Sequence, residues 1–320
     1  MPRPTPEEIE RLFVGPGPRY TRLEVAEKAG VSSALAERLW RALGFATLPD
    51  DAVAFTDADV AALRRVRTML DTGLLDEETS VRMARALGQT TARLAQWQTE
   101  IMLGAMLPPD REPSDEDLAR VMRVAEMLLP DFEQVLVHVW RAQLAAAGTR
   151  LLTIADTSEE AVPTRATLAV GFADLVSFTR RSRELDEAEL AALVEGFEAR
   201  AADVIAAHGA RLVKTLGDEV LFTAPTPGQA ADIALALVGE DMRIGMAYGP
   251  VLPMMGDVFG TTVNLAARLT AIARPGTVLV DQALAEGLRD VVGVETVRLR
   301  RRPARGLGLV QPYVIRKKTS

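Results

Sequence analysis

The stretch Arg211-Leu212-Val213-Lys214-Thr215-Leu216-Gly217-Asp218-Glu219-Val220-Leu221-Phe222-Thr223 decides how this chain is read. Residues 211–215 and 219–223 are β-like segments, and they flank Gly217-Asp218, a pair suited to a tight turn. Together they predict a β-hairpin. Working outward, residues 167–172 form a short β-rich run and 186–207 an amphipathic helix. Beyond the hairpin, 227–238 predict a helix and 242–248 a strand. The order is β-α-β-β-α-β, the split βαβ pattern of ferredoxin-like domains. Further strands are expected at 277–280, 294–299 and 313–316.

The first half has a different period. Ala, Leu, Glu and Arg dominate, and apolar residues recur at three and four, as in Val60, Leu63, Val66 and Leu70 or Leu118, Val121, Val124 and Leu128. This predicts helix throughout. Breaks are expected at Gly15-Pro16-Gly17-Pro18, Pro49-Asp50-Asp51, Pro108-Pro109-Asp110 and Pro130. Thr56 and Ser114 read as helix N-caps, Ser114 with Asp117 three residues on. The chain therefore divides into a helical domain, 1–160, and an α/β domain, 161–320. A helical linker near 132–155 leads to a boundary at Ala161-Val162-Pro163.

Composition narrows the chemistry. The 320 residues carry a net charge of -7, a poor footing for neutralising nucleic-acid phosphates. There is no cysteine, and His138 and His208 are the two histidines, so thiolate chemistry and a histidine-rich zinc site are excluded. No signal-like apolar region opens the chain, and no apolar run approaches the ~20 residues of a membrane helix. A soluble, cytoplasmic protein is expected.

Three segments of the second half carry chemistry: residues 172–179, with Asp174; 214–219, with Asp218; and 257–268, with Asn264 and Arg268. In this topology the strands bearing Asp174 and Asp218 are neighbours, so both carboxylates can converge at one end of the sheet. Such a pair suits hard cations, which use one or two carboxylates plus substrate phosphates. Alone, each reads first as a turn former or helix cap. Strand alternation sends Glu219 to the opposite face, outside such a site. Asn264 and Arg268, four apart on a helix, share one face and can address a phosphate or ribose; alone they also describe an ordinary polar surface.

In combination and in this order, the three segments resemble the class III adenylyl and guanylyl cyclase family, over residues 167–313. The resemblance implies two divalent metal ions per site, Mg²⁺ or Mn²⁺, held by Asp174 and Asp218. It implies that Lys214 and Asp257 select the base, that Asn264 and Arg268 act on ribose and phosphate in the transition state, and that Arg305 replaces a phosphate-binding lysine. Lys214 donates and Asp257 accepts, which fits the adenine edge, so ATP is the expected substrate and cyclic AMP the product. Family members pack head to tail, with metal carboxylates from one chain and base and transition-state groups from the other. This chain holds all six residues, so a homodimer with two shared sites is expected. The competing readings are a silent nucleotide-binding sensor and a DNA-binding regulator with a nucleotide-sensing domain.

The first half has two resemblances. Residues 20–45 follow a helix-turn-helix outline similar to the start of MerR-type domains, with Glu37, Arg38 and Arg41 on a thin basic face. DNA binding is the weaker implication in an acidic chain. The whole half resembles the helical regulatory domain of pH-responsive actinobacterial cyclases. That likeness implies autoinhibition relieved by acid, with His138 as a candidate sensor on the linker helix; the alternatives are a histidine packed in its apolar run and carboxylates as the sensors. The apolar segment 97–107 is a candidate lining for a lipid ligand; core packing or dimer contact are the alternatives.

Overall fold

The computed structural model describes residues 3–108, 111–156, 166–176, 178–254, 256–304, 306 and 308–318. Two compact units divide between Ala147 and Gly148. The expected domain boundary at 161–163 and Arg305 lie outside the described residues.

The first unit is helical: α1 (Pro6–Val14), α2 (Arg22–Ala29), α3 (Ser33–Leu43), α4 (Asp57–Asp71), α5 (Glu77–Met106) and most of α6 (Asp115–Asp156), whose last residues lie past the division. Thr56 caps α4, accepting from Asp59 N–H while the Asp59 carboxylate accepts from Thr56 N–H. Ser114 and Asp117 exchange the same two bonds at the start of α6. Each exchange satisfies amides that the helix leaves unpaired. The core of this unit gathers Val25, Leu35, Leu39, Phe55, Val60, Leu63 and Val81. α5 crosses α3 at Gly88, where a Cβ would lie 2.3 Å from the Leu43 carbonyl oxygen, so any side chain there would part the helices.

α2 and α3 turn through Gly30, at φ +73°, which realises the helix-turn-helix outline. The basic face of α3 is engaged within the chain. Arg38 pairs with Glu78 at 2.8 Å and Glu77 at 3.4 Å, and Arg41 lies 3.9 Å from Glu37. Phosphate contact would have to displace these carboxylates.

Pro130 does not end a helix, contrary to the sequence expectation: α6 runs for 42 residues through it. Proline forfeits its own N–H bond and clashes with one carbonyl. The helix-forming residues on both sides carry the helix across that single defect. The expected linker helix at 132–155 is thus the second part of a longer rod.

The second unit is a mixed sheet with helices. Its elements are β1 (Ala166–Leu175), α7 (Phe178–Glu184), α8 (Glu187–Ala207), β2 (Arg211–Thr215), β3 (Glu219–Ala224), α9 (Pro227–Leu237), β4 (Met242–Met254), β5 (Asp257–Phe259), α10 (Thr261–Ile272), β6 (Thr277–Val280), α11 (Gln282–Gly287), β7 (Val294–Arg298), β8 (Arg302–Ala304), β9 (Gly308–Val310) and β10 (Tyr313–Lys317). Strand order is β2-β3-β1-β4-β6-β10-β7, with β5 paired to β4. The run β2-β3-β1-β4 is the ferredoxin-like core. Among the described residues only the β4–β6 pairing is parallel; the chain crosses between these strands through β5 and α10.

The sheet buries both faces. Ala169, Ala173 and Leu175 of β1 belong to one cluster with Phe197, Ile205, Ile233 and Leu237 of α8 and α9. Val170 and Phe172 point the other way and join Leu221, Ala247 and Ala266 of α10. α10 lies against β4 over two glycines. A Cβ on Gly245 would stand 2.1 Å from the Thr270 amide nitrogen, and one on Gly249 would stand 2.9 Å from the Thr262 hydroxyl. Thr262 also donates to the Pro250 carbonyl at 2.8 Å.

Candidate active site

Asp174 stands near the end of β1 and Asp218 in the β2–β3 turn, which Gly217 enters at φ +76°. A backbone bond from Leu175 N–H to the Asp218 carbonyl, 2.8 Å, ties the turn to the strand end and brings the two aspartates together. Asp174 is 8% exposed, and Arg243 of β4 donates to it through Nε at 2.5 Å. Burial pushes its carboxyl above the usual range, opposed by the Arg243 guanidinium and assisted by the Asp218 charge.

Glu219 corrects the sequence reading. Alternation counted from Asp218 fails because Asp218 lies in the turn, outside the strand. In the sheet Glu219 is directly opposite Asp174 on β1, and Arg243 is opposite Asp174 on the other side. Cross-strand partners share a face, so Glu219, Asp174 and Arg243 form one row on the α10 side. Burial, then the charges of Asp174 and Asp218, push the Glu219 carboxyl up to about 7. Arg243 is the other member that sequence reading missed; its only linear signal was its place at the start of a strand.

Lys214 and Asp257 meet in the same chain, Nζ to Oδ2 at 2.6 Å. The second Asp257 oxygen accepts from Val258 N–H at 2.8 Å. Against the cost of desolvation, the Lys214 bond and the Val258 N–H hold this carboxyl below the usual range. Asn264 and Arg268 sit on the exposed side of α10, opposite the buried Thr262, Ala266, Leu269 and Thr270. No hydrogen bond or ion pair among the described residues joins Asp174 or Asp218 to Lys214, Asp257, Asn264 or Arg268. His138 is exposed on α6, as are Trp97 and Ile101 on α5.

The acidic pair fits a hard divalent cation in donor type: oxygen ligands, one of them largely removed from water. Among the described residues no three His, Asp or Glu side chains gather into a ready-made cage. A cation held by this pair would take the rest of its coordination sphere from phosphate oxygens and water, as Mg²⁺ sites commonly do. Among the described residues no helix is long and apolar enough to cross a membrane.

Residues 9–147 match the adenylate cyclase regulatory domain family, and residues 161–317 match the adenylate and guanylate cyclase catalytic domain family. The chain is 46% identical to an adenylate cyclase of Streptomyces coelicolor, over 97% of this chain and 89% of that protein. It is 43% identical to an adenylate cyclase of Streptomyces griseus, over 97% and 88%. A pH-sensitive adenylate cyclase of Mycobacterium tuberculosis is 30% identical over 89% of this chain and 77% of its own length.

Proposed function

The chain belongs to the adenylate and guanylate cyclase family as an adenylate cyclase with an N-terminal regulatory domain, and from that premise we propose that it works as a homodimer with two shared sites. Asp174 and Asp218 of one subunit hold the metal ions. Lys214, Asp257, Asn264 and Arg268 of the other hold and activate the nucleotide. The observation that carries this reading is the division within one chain. Lys214 is spent on Asp257 at 2.6 Å, Asp174 on Arg243 at 2.5 Å, and the Asn264–Arg268 face is exposed.

Lys214 Nζ donates to adenine N1 while Asp257 accepts from the N6 amine. Guanine presents the reverse pattern on that edge, leaving buried polar groups unpaired, which penalises GTP. Asn264 orients the ribose so that its 3′ oxygen attacks the α-phosphorus in line. The new O3′–P bond forms as the bond to pyrophosphate breaks, and the 3′-hydroxyl proton is released to solvent. Arg268 offsets the charge that develops on the α-phosphate, and Arg305 contacts the triphosphate. Mg²⁺ or Mn²⁺, two ions per site, supplies Lewis acidity toward the attacking and leaving oxygens. The protein contributes positioning and fixed charge, without a covalent intermediate.

The helical region restrains the cyclase near neutral pH and releases it in acid, with His138 on α6 as the sensing group. The regulatory-domain match and the likeness to a pH-sensitive relative support this. If so, the activity of the full chain rises from pH 8 to 5.5 and His138→Gln flattens the profile. A variant profile that overlays the wild type removes His138 from the mechanism.

The shared-site model is tested by mixing two inactive variants, Asp174→Ala and Asn264→Ala. Subunit exchange rebuilds one intact site in each heterodimer, so activity returns. Demonstrated exchange without returned activity refutes the model.

A further inference from the structure

β2 is irregular. Arg211 is opposite Thr223 and Leu212 opposite Phe222, but Lys214 is opposite Leu221, so Val213 is an inserted residue, a β-bulge. In a regular strand, residues three apart point to opposite faces. The bulge cancels that parity. Thr223 and Leu221 lie opposite Val170 and Phe172 of β1, whose side chains face α10. Arg211 and Lys214 therefore share the α10 face of the sheet.

Both reach the turn between β4 and β5. Arg211 Nη2 donates to the Gly256 carbonyl, and Lys214 Nζ donates to Asp257, the next residue. Gly256 turns the chain at φ +80°, a conformation that favours glycine. β5 is three residues long and, among the described residues, pairs only with β4. With the β4–β5 ladder and buried Val258 holding β5 to the sheet, the two contacts from β2 join the turn directly to the strand that carries Lys214.

We propose that Arg211 is a positioning residue for base recognition: it holds the β4–β5 turn so that Asp257 faces the base beside Lys214, and it thereby sets the preference for ATP over GTP. This rests on Lys214 and Asp257 reading the base. Without the Arg211 contact, the hydrogen bond from β2 that remains on this turn is that of the Lys214 side chain, which is also needed by the adenine. A displacement of about 1 Å in a positioning group costs as much as a hundredfold in rate, so a tenfold loss of discrimination is a moderate expectation.

The test is kcat and KM for ATP and for GTP with the full-length protein and Arg211→Met, Arg211→Lys and Lys214→Met. Arg211→Met raises the KM for ATP about tenfold and lowers the ATP-to-GTP ratio of kcat/KM about tenfold, with kcat for ATP held within about threefold. Arg211→Lys, which keeps a charged donor, restores most of the ratio. The proposal is overturned if Arg211→Met leaves the ratio unchanged, whether or not overall activity falls. Should Arg211→Met fail to fold by calorimetry, Arg211→Gln replaces it with the same criterion. A Lys214→Met variant whose ratio moves while that of Arg211→Met does not sinks the positioning role alone. A Lys214→Met variant with an unchanged ratio sinks base reading by the pair, and the positioning role with it.

Discussion

Glu219→Gln is expected to make the protein more stable at pH 8 and to change it little at pH 5. Glu219 is opposite Asp174 and next to Asp218, and burial first, then these two charges, raise its carboxyl from 4.5 to about 7. A carboxyl raised in the folded state contributes stability that is complete below pH 4.5, where both states are protonated. Between 4.5 and 7 the unfolded chain ionises first and gains relative to the native state. Above pH 7 the native carboxylate is charged, buried and beside like charges, so the contribution is gone. A shift of this size corresponds to a ceiling of about 3 kcal/mol. Residual solvent contact at Glu219 reduces that to about 1–2 kcal/mol. Glutamine keeps the shape and cannot ionise, so it escapes the loss. The assay is calorimetric unfolding of both proteins at pH 5, 6.5 and 8 in EDTA, which removes bound cations from the comparison. The variant's advantage should grow across that window. An advantage of equal size at pH 5 and pH 8, or one that shrinks as pH rises, would refute the electrostatic account of this row.

Gly245→Ala places a methyl group 2.1 Å from the Thr270 amide nitrogen, a backbone atom that cannot swing aside. α10 must lift from β4, at about 1–3 kcal/mol for overpacking, and because α10 carries Asn264 and Arg268, cyclase activity should fall more than about tenfold; wild-type melting and activity would contradict this docking. Ser114→Ala removes an N-cap bond from α6 and should cost about 1 kcal/mol, read as a fall of a few degrees in melting temperature. The Asp117 carboxyl is held at about 2, chiefly by its bond from the Ser114 hydroxyl, and a depressed carboxyl loses its contribution only as pH falls through the folded value. The Ser114→Ala effect should therefore be the same at pH 5 and pH 8, and a difference between the two would point to another titrating group.

Much of the architecture was legible in linear order. The strand at 211–215, the strand at 277–280 and the helix near 187–207 follow from local period and turn chemistry. The caps at Thr56 and Ser114 follow from residues three apart that can bond each other's backbone. β5 did not stand out, because three residues are too short to show alternation. Pro130 misled because a strong local rule was outweighed by helix-forming sequence on both sides.

The sequence by itself determined which side chains are available for chemistry: two aspartates, a lysine and an aspartate, an asparagine and an arginine four apart, and no cysteine. These are matters of residue type and local spacing. Tertiary structure decided which of them meet. Glu219 joins Asp174 and Arg243 because antiparallel register pairs residues far apart in the chain. Lys214 meets Asp257 because one inserted residue at Val213 turns it to the face that the β4–β5 turn reaches. Register and bulges are set by how whole strands pack, a sum over many side chains.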